Sequence, residues 1–168
     1  MKQSVKFILF ALPIMLMLAS CDFTKNHSPC RKSPLTFKVA ISSNSNLTTD
    51  TVLFSGNDIK SLNETTGEIR FVDSLINLRI KLFHRIKCYL GTDSLFTSTI
   101  TLPVVSSLIN DLVLCLNRND GHYYFKDGYP DWINNQDINI IRIQNRGKRA
   151  AAWNRFIGEL KKEGKYIK

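Results

Sequence analysis

Along most of the chain, apolar and polar positions alternate with a period of two, which predicts strands. Thr36 to Ser42 places Phe37, Val39 and Ile41 on one side and Lys38 and Ala40 on the other. Thr51 to Phe54 is a second short apolar stretch, and Glu68 to Val72 alternates again. Between them Ser55 can cap a short helix over Gly56 to Glu64, with Asp58 at the third helical position and Gly67 ending it. Leu78 to Leu90 is the longest alternating run: Ile80, Leu82, His84, Ile86, Cys88 and Leu90 oppose Arg79, Lys81, Phe83, Arg85, Lys87 and Tyr89. Gly91 to Ser94 turns the chain and Leu95 to Leu102 returns until Pro103, which predicts a hairpin.

Leu108 to Leu116 is almost continuously apolar and reads as a central strand covered on both faces, although its periodicity also fits a short helix. Asn119-Asp120-Gly121 is a turn, His122 to Phe125 its partner strand, and Gly128 to Asp131 a further turn. From Asn134 the period becomes helical. Trp153, Phe156, Ile157, Leu160 and Ile167 share one side, opposite Arg155, Lys161, Lys162 and Lys165. Arg142, Arg146 and Arg149 form their own stripe, which an unbroken helix would carry onto the apolar side, so a break or a change of packing near Gly147 is expected. The fold class is therefore α+β: an antiparallel sheet of about six strands, a short early helix and one or two carboxy-terminal helices.

The first residues follow another pattern. Lys2 and Lys6 precede an apolar run of thirteen residues, Phe7 to Ala19, which is short for a bilayer span and has the layout of a secretory signal. Leu18-Ala19-Ser20-Cys21 resembles the lipobox of bacterial lipoprotein precursors. The resemblance implies cleavage before Cys21, a diacylglyceryl thioether on its sulfur, an acyl chain on its new amino group, and a lipid-anchored, exported protein of the cell membrane or outer membrane. Two or more acyl chains make such attachment stable. The expected organisation is a signal peptide at 1–20, a polar, proline-bearing tether at 21–35 and one domain at 36–168.

The 148 residues after the signal suffice for one core. Positive and negative side chains balance from Cys21 to Ile141, twelve of each, whereas Arg142 to Lys168 holds nine cations against Glu159 and Glu163. That end could contact an anionic surface through Arg155, Lys161, Lys162 and Lys165, or simply be a solvated helix face. Nucleic acid is excluded as a partner by the exported compartment. With Cys21 lipidated, Cys30, Cys88 and Cys115 remain. Cys88 and Cys115 either pair, as export to an oxidising compartment permits, or serve as two buried thiols.

No nucleophile elbow, zinc-protease helix, phosphate-cradling loop or C-x-x-C occurs, and no cofactor or metal is implied. Of the three histidines, His27 lies in the tether, His122 beside a turn, and His84 on the apolar face of its run, where a core histidine is the commoner reason. The cluster Tyr123, Tyr124, Phe125, Tyr129 and Trp132 is dense. Tyr124, Tyr129 and Trp132 could stack on a sugar or receive a partner chain, or pack under the final helix. Asp50-Thr51-Val52, Asp73-Ser74-Leu75 and Asp93-Ser94-Leu95 are similar to the sequon that Bacteroidetes use for O-glycosylation, and the Asn- and Ile-rich composition resembles small envelope lipoproteins of that group.

The expected function is a non-enzymatic, membrane-anchored module that binds an envelope protein or glycan. The alternatives are an enzyme of envelope glycan metabolism using His84 or His122 as acid or base, and a structural subunit assembling through sheet edges.

Overall fold

Gly91 and Thr92 form the two-residue turn of the hairpin read from the sequence, with Gly91 at φ +62°. The computed structural model describes residues 32–40, 51–103 and 107–168. The signal, Cys21, His27, Cys30 and Ile41 lie outside them. The elements are β1 (Leu35–Val39), β2 (Val52–Ser55), β3 (Ile59–Asn63), β4 (Glu68–Phe71), α1 (Leu75–Ile80), β5 (Arg85–Leu90), β6 (Asp93–Thr101), β7 (Val113–Leu116), β8 (Tyr123–Lys126), α2 (Gln136–Lys162) and β9 (Tyr166–Ile167).

The α+β class holds, but the sheet is larger than expected and mixed. Nine strands run in the order β2-β1-β5-β6-β7-β8-β4-β3-β9. β6 pairs with β7, and β3 with β9, in parallel; the remaining neighbours are antiparallel. Irregular register at Phe37/Lys38, Ile59/Ser61 and Cys88/Tyr89 adds local twist, and the sheet curls into a half-barrel. α2 lies against its inner face. There Phe156, fully buried, stands 5.4 Å from Phe96 and 5.9 Å from Phe37, and Trp153 stands 5.3 Å from Phe125.

Four sequence expectations are corrected. Ser55 and Asp58 do form the capping box, but the helix stops after one 3-10 turn, because Ile59 and Leu62 turn inward on a strand that pairs with β4. The long alternating run does not start as strand: Leu78 to Ile80 are the end of α1, a turn and bend follow to His84, and only Arg85 to Leu90 is strand. In the sheet β4 and β5 are separated by β8, β7 and β6, four strand spacings or roughly 19 Å, so the chain has to cross an end of the sheet. α1 makes that crossing with Ile76 and Ile80, one helical turn apart, buried beneath it. His84, just past it, is therefore exposed and not on a core face.

Third, α2 does not break at Gly147 but runs on for 27 residues, roughly 40 Å, so of the two expectations it is the packing that changes. The arginine stripe does rotate onto the sheet side, where polar partners meet it. Arg142 donates to the Pro130 carbonyl over 3.0 Å, and Arg149 to Asp111 and Asp127. Fourth, the helix ends before Gly164 (φ +68°), and Ile167, expected on its apolar side, instead joins β9 beside β3.

Candidate functional site

The β7–β8 hairpin projects alternate side chains to the outer face of the sheet. Pairing aligns Glu68, Tyr124, Cys115 and Thr101 in one row across β4, β8, β7 and β6, while Tyr123 and Phe125 point into the core. The hairpin turn fixes one end of this row. Asp120 accepts from the His122 backbone N–H at 2.8 Å, from Asn117 Nδ2 at 2.9 Å and from the Tyr124 hydroxyl at 2.7 Å. The His122 N–H and then the Tyr124 hydroxyl hold the Asp120 carboxyl below the usual carboxylate range, and the bond to Asp120 raises the Tyr124 phenol. Tyr124 thus enters as a neutral ring whose hydroxyl is already engaged.

Tyr129 reaches the same place by another route. Its backbone exchanges two 2.8 Å hydrogen bonds with Ile109, which ties the loop after β8 to the segment before β7. Lys126, beside it, pairs with Asp131 at 2.5 Å and holds that carboxyl low. Between Tyr124 and Tyr129 lies a groove of about 620 Å³, with Cys115 and Leu116 among its lining and Asn117, Arg118, Asn119 and Lys126 supplying polar groups. Two aromatic faces with amide and cationic donors between them suit a flat, hydroxyl-rich ligand.

The other candidates fall elsewhere. Trp132 is 79% exposed and does not line the groove. His122 Nδ1 is 2.6 Å from Glu68 Oε1, and the same oxygen accepts from Arg70 Nε at 2.7 Å; neither His122 nor Glu68 lines the groove. The carboxy-terminal cations are engaged within the fold: Arg155 with Asp93 at 2.8 Å, Lys162 with Glu159 at 2.9 Å, Lys161 4.7 Å above the Tyr166 ring, and Lys165 with Glu163 and the Gly56 carbonyl. Lys165 stands past the end of the helix.

Cys88 and Cys115 are free, buried thiols. In the structure they lie apart: Cys88 sits opposite Phe96 on the inner face and Cys115 opposite Thr101 on the outer face, with β6 between them and five residues of register along it. Burial pushes the Cys88 thiol far up. Asp93-Ser94-Leu95, expected at a turn, opens β6, whereas Asp73-Ser74-Leu75 leads into α1. Among the described residues no group of three His, Cys, Asp or Glu side chains could hold a metal ion.

Sequence reasoning passed over Asn117, Arg118, Asn119 and Lys126, reading only Asn119, as part of a turn. It also passed over a second cleft of about 450 Å³ between α2 and the β3–β4 turn, where Phe125 and Trp153 meet Arg146, Arg149 and Lys161. Comparison with protein-family models, curated proteins and solved structures finds no match to this chain.

Proposed function

We propose that this chain is a lipid-anchored module of the bacterial cell envelope, held at a membrane through Cys21, that binds a glycan segment in the groove between Tyr124 and Tyr129. The anchor rests on Leu18-Ala19-Ser20-Cys21. The glycan reading rests on one observation: Tyr124 and Tyr129, two of the three aromatics the sequence offered as ligand contacts, line a single groove together with Asn117 and Asn119. Sugar rings present apolar faces to aromatic rings and hydroxyls to amides, and such a site needs no nucleophile.

The test is retention of the full chain on envelope polysaccharide and on glycan strands of the cell wall, beside Tyr124→Ala and Tyr129→Ala. Each substitution is expected to weaken retention about tenfold, the loss of one stacking surface. Equal retention of all three proteins, or none by any glycan, would overturn the groove. Fractionation and intact mass of the wild type and Cys21→Ala test the anchor separately.

The Glu68–His122 pair favours a second reading, an enzyme acting on envelope glycan, since a carboxylate on Nδ1 orients an imidazole for proton transfer at Nε2. Release of new reducing ends from the retained glycan, abolished in His122→Gln, would decide for it.

A further inference from the structure

α1 closes an end of the half-barrel with Ile76 and Ile80, and its other side faces water. Leu75 and Leu78 on that side are 54% and 57% exposed, Leu82 in the turn that follows is 76% exposed, and Val72 just before it 69%. Four large apolar side chains thus protrude within eleven residues, from an element anchored beneath by its own buried isoleucines. On the helical wheel Arg79 flanks the leucine side at one edge and Lys81 at the other, and Arg85 follows at the start of β5. All three are exposed and have no carboxylate partner among the described residues. The nearby acids are committed to the backbone: Asp73 Oδ1 accepts from the Leu75 N–H at 2.8 Å, and Asp58 Oδ2 from the Ser55 N–H at 2.7 Å.

An apolar stripe between unneutralised cations is the pattern of a helix that lies in a membrane interface, with its leucines among acyl chains and its cations at anionic headgroups. The carboxy-terminal helix, where sequence alone put the basic surface, differs: of the cations on that face Arg155 and Lys162 pair with acids and Lys161 lies over the Tyr166 ring. We infer that α1, with Val72, Leu82 and Arg85, is the face this domain lays on an anionic lipid surface. Each leucine leaving water and each cation reaching such a surface is worth roughly a fivefold gain in partition. Acting on a chain already held at a membrane, that gain would orient the domain. The inference takes from the proposed function only that the chain is so held.

The test is hydroxyl-radical footprinting of the full chain reconstituted into phosphatidylcholine vesicles with or without phosphatidylglycerol. Exposed Ile140 and Ile143 of α2 serve as the internal reference. With phosphatidylglycerol, oxidation of Leu75, Leu78 and Leu82 is expected to fall roughly fivefold or more relative to the reference, and high salt to restore it. The double variant Arg79→Glu/Lys81→Glu is expected to lose the protection while its reference reactivity stays at the wild-type level. The salt arm stands on the wild type alone, should that variant fold poorly. The inference is overturned if the leucines stay as reactive as in vesicles lacking phosphatidylglycerol, if the chain does not float with the vesicles, or if protection follows protein concentration, the mark of contact with a second copy. Intact mass of the floated chain reports acylation of Cys21 whichever way the footprint falls.

Discussion

Arg149 of α2 reaches across to Asp111, ahead of β7, with 2.8 Å between its Nη1 and Asp111 Oδ1, and its other terminal nitrogen is held by Asp127 just past β8. Its side chain is only 10% exposed, whereas Asp111 is 64% exposed, so the burden of desolvation falls on the guanidinium. This clamp lets the arginine stripe lie against the sheet without breaking the helix. Arg149→Ala is expected to cost about 2 kcal/mol, a fall in Tm of roughly 6 °C. Asp111→Asn should cost much less, and Arg149→Met should recover part of the loss by restoring the packed stem. Urea unfolding of the three variants measures the order.

Gly67 stands at φ +72° in the β3–β4 turn, and a Cβ there would come 2.4 Å from the backbone oxygen of Phe125. Its carbonyl meanwhile accepts from the Phe125 N–H at 2.9 Å, so that strand cannot retreat without losing the bond. Gly91 has a similar φ of +62° with open space around it. Gly91→Ala should therefore cost about 1 kcal/mol for conformation alone, and Gly67→Ala roughly twice that or more. Denaturant midpoints compared at equal m-value separate the two.

The Asp120 carboxyl is held low by the His122 N–H and the Tyr124 hydroxyl. A depressed folded-state pKa gives stability that is complete above the unfolded value of about 3.9 and is lost as pH falls through the lower folded value. Asp120→Asn should thus be less stable than wild type by a constant margin from about pH 5 upward, and the margin should close in the acid range below the unfolded value. Thermal melts across that range test the sign, and a margin that widens toward acid would contradict it.

Cys88 lies in the core row Phe37–Cys88–Phe96, with its thiol pushed far up by burial. Iodoacetamide needs a thiolate, so native protein should leave Cys88 unmodified over hours, and denaturant without reductant should open both Cys88 and Cys115 to alkylation. Peptide mapping reads each site separately. Resistance of both in denaturant until a reductant is added would indicate a disulfide.

The hairpins were legible because each depends on neighbours in the chain. Gly91 and Asn119-Asp120-Gly121 carry the turn chemistry, and the four wholly buried residues of β7 fall inside the apolar run Leu108 to Leu116. The groove was legible only in part. Tyr124 and Tyr129 stood out as aromatics, but alternation could not say that both face one groove, since Tyr129 is placed by its long-range bridge to Ile109. Trp132 looked equivalent on paper and lies apart.

The sequence by itself determined an α+β domain, the turns at Gly91 and at Asn119-Asp120-Gly121, the cap at Ser55 and helical structure at the carboxy-terminal end, because local periodicity and turn residues govern each. Tertiary structure decided the rest. Ile76 and Ile80 fit a helix as well as a strand, and the distance between β4 and β5 selected the helix. Asp111 and Asp127, distant in sequence from Arg149, let α2 pass Gly147 unbroken. The register of β5, β6 and β7 put the two thiols on opposite faces. Tertiary contacts also engaged Arg149, Arg155 and Lys161 of the final helix and left Arg79, Lys81 and Arg85 with no carboxylate partner among the described residues, beside exposed leucines, a contrast that no one-dimensional pattern of charge contains.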